Sequence, residues 1–343
     1  VSRGLLHRVG VERTKDAEAL GYAGQSLISI ARECLEQRGI STRGMAPARI
    51  AQRALIETSD LSSIVATVAG RSLRAGYDYS PRTFTECFRR AMDVQNFKNV
   101  ERHALSDAPE LDLVAEGGVY TEGALSASKA TYSVLKYGKI LAVTWESVIN
   151  DDLDSLSRIP HRMGSAAARR EGDVVWGKLT SNPTMPDSTA LFHASRGNTT
   201  TDVLDAAGLE AGRAWFRART APGGTPINIA PRYLIVGAEG ESTAEKLIFE
   251  NASITSRSEI LAGSLRSLQI IVEPRIVGPA WYLAADPNQV DTIEFAYLAG
   301  EDGVTLEEHK TFDVDDLKLK ARLVIGAGAI DHVGLYRSTG TGL

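Results

Sequence analysis

Cysteine is scarce, with Cys34 and Cys87 the only two in 343 residues. Two thiols this far apart, in no metal-ligand spacing, exclude a disulfide framework and suit small core residues in a reducing compartment. Long apolar runs are missing too. Nothing approaches the ~20 consecutive apolar residues that span a bilayer, and the stretch 1–10 lacks the apolar core of a signal peptide. A soluble chain with no membrane partner, not exported by that route, is expected. The chain starts at Val1 instead of Met, which implies a start removed by a protease, by processing of a fusion or by choice of boundary. Neither sign of charge dominates, since 38 basic against 43 acidic residues leave a formal net charge of -5. No global field therefore draws the chain to nucleic acid or anionic lipid, which argues against a dedicated DNA binder.

Catalytic and metal-binding patterns are equally thin. His7, His103, His161, His193, His309 and His332 are scattered, without the i, i+4 spacing that puts two metal ligands on one helix face. No Gly-x-Ser-x-Gly elbow is present, and Gly326-Ala-Gly328 lacks the third glycine and following helix of a dinucleotide loop, so a strand bend is the simpler reading. Asp313, Asp315 and Asp316 open like a calcium loop, but Lys318 and Val324 stand where the glycine and the final glutamate belong. A solvated turn fits better. The cluster Asn150, Asp151, Asp152 and Asp154 precedes a helical pattern, where carboxylates favour the positive end of the dipole. Nothing assembles a nucleophile, a base and an orienting group, so no enzyme activity, cofactor or metal is expected.

What is there is patterning. At 43% hydrophobic and 24% charged the composition is that of a globular protein, and the length calls for two or three substructures. Leu20, Leu27, Ile30, Ala31 and Leu35 recur at helical spacing until Gly39. A second helix enters through Pro47 and runs to about Glu57, and a third, capped by Asp60, ends near Gly76. These amphipathic helices read as an arm packed on its own body or on a neighbour. From Phe97 to Trp145 the period changes to two around a centre rich in Gly, Ala, Ser and Glu, which reads as a long hairpin with a polar tip. A two-stranded ribbon is marginal alone and should lie against another surface, a neighbour or its own domain. Ser157 caps a helix expected over 158–180, with Pro160 in its first turn. Helices expected near 203–220 and 242–251 then alternate with strands at 233–236, 268–272 and 281–284, an α/β or α+β body. Residues 317–325 alternate as a half-buried antiparallel strand, with 329–336 as its hairpin partner.

Seven short strings follow one another in a telling order: Val114-Ala-Glu-Gly-Gly-Val-Tyr120, Tyr137-Gly-Lys-Ile140, Val148-Ile-Asn-Asp-Asp-Leu153, Asn182-Pro-Thr-Met185, Leu191-Phe-His-Ala194, Pro231-Arg-Tyr-Leu-Ile-Val236 and Trp281-Tyr-Leu-Ala-Ala-Asp-Pro287. With the order of elements, from about Asp60 to Tyr336, they resemble the Hong Kong 97 type major capsid fold of tailed phages, and within it the Mu-like or protease-fused major head subunits. The resemblance implies an α+β fold with an N-terminal helical arm at 1–60, a helix and first hairpin strand at 61–111, and an extended loop at 112–131. A peripheral domain with a spine helix at 132–185, an axial domain at 186–298 and the peripheral β-hairpin at 299–343 complete it. It further implies a subunit of pentamers and hexamers in an icosahedral shell around packaged double-stranded DNA, located in the virion and, during assembly, the host cytoplasm. Its partners are then other copies, with a portal and a maturation protease or scaffold. The extended loop, with Val114, Glu116, Gly117, Gly118, Tyr120 and Glu122, is the expected subunit interface.

Some relatives of that fold join a loop lysine to an asparagine on a neighbour. Here Gly117 and Gly118 follow Glu116 and the nearest lysine is Lys129. A glycine has no amine to deliver, so no covalent crosslink is expected. Two rivals remain at this stage. One is a cellular compartment shell of the same fold, and the other a soluble α/β hydrolase or ligand-binding protein, which would form a small oligomer.

Overall fold

The computed structural model describes residues 1–56, 59–103, 111, 113–120, 122, 129–143, 146, 149–150, 153–220, 226–249, 263–310 and 317–342. In chain order it runs α1 (Ser2–Arg8), α2 (Ala17–Ala23), α3 (Leu27–Gln37), α4 (Pro47–Ile56), α5 (Ser59–Tyr79) and α6 (Phe84–Cys87). Then come β1 (Arg89–Arg90), β2 (Val100–Arg102), β3 (Ala130–Tyr132), β4 (Leu135–Val143) and the long α7 (Leu153–Thr180). The later part holds β5 (Thr199–Thr200), α8 (Ala206–Arg217), β6 (Pro231–Val236), α9 (Glu241–Phe249), β7 (Gln269–Val272) and β8 (Trp281–Ala285). It closes with β9 (Ile293–Tyr297), β10 (Val304–Lys310), β11 (Leu317–Ala329) and β12 (Leu335–Ser338). This is an α+β chain. Among the described residues no helix is long and apolar enough to cross a membrane.

Contacts divide the chain into two units. The first comprises Val1–Pro81, Leu135–Glu171 and Leu298–Val324. Its core joins the arm helices to strands: Leu5, Leu27, Ile30, Leu35, Ile50, Leu61 and Val65 pack with Val143, Leu317 and Leu319. The arm therefore covers its own body. In α3 the buried positions 27, 30, 31, 34 and 35 form one stripe, and each fully buried Leu or Ile contributes roughly 1.5–3 kcal/mol over leaving it in water. Cys34 belongs to that core and Cys87 to the second unit, both buried and free.

Strand β11 pairs antiparallel with β10, from Val304↔Leu323 to Lys310↔Leu317, and also pairs with β4. Against this layer α5 and α7 cross at very short range. A Cβ on Gly76 would lie 2.0 Å from the His161 carbonyl oxygen, and one on Gly164 1.9 Å from that of Leu73. Only hydrogen fits at both positions. Ser165 Oγ donates to the Gly76 carbonyl at 3.0 Å and Ser72 Oγ to the Ser157 carbonyl at 2.6 Å.

The second unit comprises Arg82–Val134, Gly172–Tyr297 and Ile325–Leu343. Its sheet runs β5-β12-β8-β6-β7, with β8 antiparallel to both β6 and β12 and with β7 and β5 added parallel at the edges. Helices α8 and α9 cover it through Leu209, Phe216, Ala244 and Ile248, packed with Leu234, Val236, Trp281 and Leu283. Asp205 starts α8 by accepting the Gly208 N–H at 2.7 Å. The last five residues of β11 pair with β9, and β9 with β1.

Several expectations need correction. The first helical run is two helices, because Gly24 ends α2 and Ser26 caps α3 by accepting from Ser29 N. Helix α5 continues through Gly76 to Tyr79, since that glycine serves the crossing with α7 and not a stop. Helix α7 begins at Leu153, so Pro160 lies inside it and Ser157 is no cap. The Ser72 hydroxyl serves the Ser157 carbonyl in the stretch where the proline has removed a helical N–H. Asp154 falls in the first turn of α7, while Asp151 and Asp152 lie outside the described residues, as do Trp145, Asn251, Asp313, Asp315 and Asp316.

Strand β12 is not the hairpin partner of β11. It pairs with β8 in the other sheet, because the chain turns away at Ile330–Asp331, whose N–H groups bond the Thr292 carbonyl. Gly326 and Gly328 mark no bend either. They lie within β11, where a Cβ would meet the Ser133 carbonyl at 2.3 Å and the Tyr132 side chain at 2.8 Å.

Candidate assembly interface

The hairpin around residues 100–132 is short at its base and polar where it is anchored. Strands β2 and β3 pair over Val100↔Tyr132, Glu101↔Thr131 and Arg102↔Ala130, all within the second unit. Three registered pairs do not hold a ribbon in water. Side chains supply the rest. Glu294 on β9, only 2% exposed, takes the Tyr132 hydroxyl at 2.5 Å and the Arg102 Nε at 2.8 Å. Burial, and then the hydrogen bond to Glu294, pushes the Tyr132 phenol far above its ordinary pKa. A buried carboxylate needs such partners, because an unpaired charge there is very costly.

On the outer side Lys129 Nζ meets Glu101 Oε2 at 2.6 Å. The hydrogen bond from Lys129 holds the Glu101 carboxyl below its usual pKa, although both groups are exposed and the pair adds little stability. The single lysine near the loop is thus held at the base by a local ion pair.

The tip is built differently. The Gly118 N–H donates to the Ala115 carbonyl at 2.8 Å, closing a turn around Glu116 and Gly117. Gly117 has φ +78, a left-handed conformation that glycine adopts freely. Val114 is half-buried, and Glu116, Gly117, Gly118, Tyr120 and Glu122 are exposed. All six anticipated residues therefore sit in or beside one turn. Asp112, Thr121 and the stretch 123–128 lie outside the described residues.

Beside these, Leu111 (101%), Leu113 (100%), Val119 (91%) and Tyr120 (82%) are almost fully exposed. Single exposed apolar residues are ordinary, but four large ones stand exposed here within ten positions of the chain. Leu111, Leu113 and Val119 were not among the contact residues expected from the sequence, where the tip reads as polar. The anchors Arg102, Tyr132 and Glu294 went unremarked as well, because 162 residues separate Tyr132 from Glu294. Among the described residues no group of three or more His, Cys, Asp or Glu is placed to hold a metal ion.

The sequence model of a family described as phage capsid protein matches residues 128–338, more than half of the chain. No curated protein matches. Among solved structures, a protein of Mycobacterium phage Adephagia is 14% identical with a TM-score of 0.48, covering 76% of this chain and 90% of its own. A virus-like particle from Pyrococcus furiosus gives 14%, 0.46, 79% and 97%. The encapsulin of Synechococcus elongatus gives 9%, 0.48, 77% and 88%. With TM-scores below 0.5 these are general likenesses, and the family match carries the assignment.

Proposed function

The chain belongs to the phage capsid protein family, and from that premise we propose that it is the major subunit of an icosahedral head, arranged as pentamers and hexamers around packaged double-stranded DNA. Its role is structural and its place is the virion. The family match over 128–338 is the observation that carries this reading. It is coarser than the Mu-like branch that the strings of the sequence resemble.

In this reading 112–131 is the extended loop that meets a neighbouring copy, through Val114, Glu116, Gly117, Gly118, Tyr120 and Glu122. The pieces 132–185 and 299–343 form the peripheral domain, 186–298 the axial domain, and 1–60 an arm that enlarges the wall. Assembly takes place in the host cytoplasm, with a portal and a maturation protease or scaffold as partners. The exposed apolar side chains of the loop support a contact between copies, since heterologous contacts repeated around rings are what close a shell. The net charge of -5 suits a wall that does not grip DNA, because phosphate binding calls for many Lys and Arg contacts.

Sedimentation velocity and electron microscopy of the purified chain test the proposal. Rings or closed particles of megadalton mass are expected, and a monomer or dimer at every salt concentration would overturn it.

A further inference from the structure

Within the first unit, helix α7 buries one face and leaves the opposite one in water. Gly164 and Ala168 lie on the buried side, with Gly164 at the crossing with α5, whereas Arg158, Arg162 and Arg169 are exposed. Offsets of four and seven residues bring these three arginines onto a single stripe, about 16 Å long at a rise of ~1.5 Å per residue. Ser165 and Ala166 stand between Arg162 and Arg169, and Ile159 at the edge of the stripe is 40% exposed.

The formal charge of the whole chain hides this stripe. Residues 155–170 carry four arginines and no carboxylate, whereas residues 298–310 of the same unit carry four carboxylates and one lysine. A guanidinium is a planar fork that meets two phosphate oxygens at once. Duplex DNA presents one phosphate about every 3.4 Å along each strand, so a stripe of this length lies beside about five of them. An acidic protein segment would call for an apolar floor as well, because the centre of a protein interface is poor in charge and built on large anchors. The small side chains between the arginines provide none. An anionic lipid surface fits no better, since a helix that lies on one inserts an apolar face.

We propose that the exposed face of α7 contacts the phosphate backbone of the enclosed duplex through Arg158, Arg162 and Arg169. The inference rests on the capsid reading and goes beyond it in naming the surface that meets DNA. Three phosphate contacts per copy carry no sequence information and are released by salt, so the wall touches the duplex without gripping it.

The experiment is a fluorescence anisotropy titration of a random-sequence duplex of about 30 base pairs with the full chain, below the concentration at which particles form. Between about 50 and 200 mM NaCl the slope of log K against log salt should be about -2.7 for three phosphates. Arg162→Gln with Arg169→Gln should weaken binding about tenfold and bring the slope to about -0.9. Arg162→Lys with Arg169→Lys should stay within about threefold of the parent, because an ammonium still meets a phosphate as a point charge. Lys318→Gln with Lys320→Gln, on β11, should change binding less than about twofold. The substituted arginines are exposed, so their variants should keep the circular dichroism of the parent.

An unchanged slope in the arginine-to-glutamine pair overturns the contact, as does an equal loss in the arginine-to-lysine pair or in the β11 pair. Displacement of the duplex by polyglutamate at equal charge overturns it too, in favour of an acidic protein partner. Sedimentation of the same samples at higher concentration separates the two readings. Particles from a chain that does not bind duplex overturn the contact and leave the shell standing, whereas duplex binding without particles overturns the capsid reading and leaves the stripe as a phosphate-binding surface.

Discussion

At the base of the hairpin, Tyr132 and Arg102 turn their polar ends onto Glu294, and the phenol ring is buried within its own chain. Between those two anchors in the chain, Leu111, Leu113, Val119 and Tyr120 stand in water on either side of a glycine turn. The base is completed by its own fold, whereas the tip keeps apolar area that only another surface can cover. A subunit that exchanges contacts with copies of itself needs both: an anchor that survives in the isolated chain, and a contact patch left open until assembly.

The sharpest way to break this comparison is to remove the tip. Replacing residues 116–128 by a short Gly-Ser turn should leave the circular dichroism of the monomer unchanged and lower shell yield about tenfold or more, since a few central contacts dominate an interface. Equally heat-resistant particles in normal yield would show that the tip is dispensable.

The base should respond in the opposite sense. Glu294→Ala strands the buried Tyr132 hydroxyl and leaves Arg102 without its carboxylate, at a cost of about 2–3 kcal/mol in the folded monomer. Urea denaturation reads this directly, and an unchanged midpoint would remove Glu294 as the anchor.

A smaller effect concerns the second unit under acid. Burial pushes the His332 imidazole pKa below its ordinary value. The charges of Arg196 and Arg219 act in the same direction, and Asp331 and Asp187 oppose them. The unfolded chain therefore binds a proton at a higher pH than the folded one. The contribution is fully present above the ordinary histidine value of about 6.5 and is lost as pH falls from there through the depressed folded value. Urea midpoints of the chain should fall between pH 7.5 and 5.5, and His332→Gln should flatten that slope. Identical slopes would refute it.

The smallest expected effect is none at all. Lys129 is paired to Glu101 at the base, and the tip turn is made by glycines. Particles boiled in detergent should therefore run as one band at the mass of a single subunit. A ladder of covalent pentamers and hexamers would show that the loop carries a crosslink.

Local signals were legible wherever one residue type answers one local need. Pro47 opens α4 and the alternation of 317–325 gives a half-buried strand, while Asp60 and Ser157, expected as caps, lie inside α5 and α7. The turn at Glu116 and Gly117 was legible for the same reason. Partners distant in the chain were not. The strand at 335–338 finds β8 instead of β11, and short β9 and β10, which pair with β11, carried no signal strong enough to read. Gly76 was misread because a glycine that ends a helix and one that admits a neighbouring carbonyl look alike in sequence.

By itself the sequence determined the α+β class, the helical arm, the glycine-tipped turn, and a family resemblance carried by the order of short strings. Those properties depend on residues within a few positions of one another, or on their sum. Only the tertiary structure decided that the arm closes the core of its own chain and that Glu294 anchors the hairpin. Burial is set by what the rest of the chain brings alongside a residue, and periodicity cannot distinguish an apolar side chain covered by its own fold from one left for a neighbouring copy.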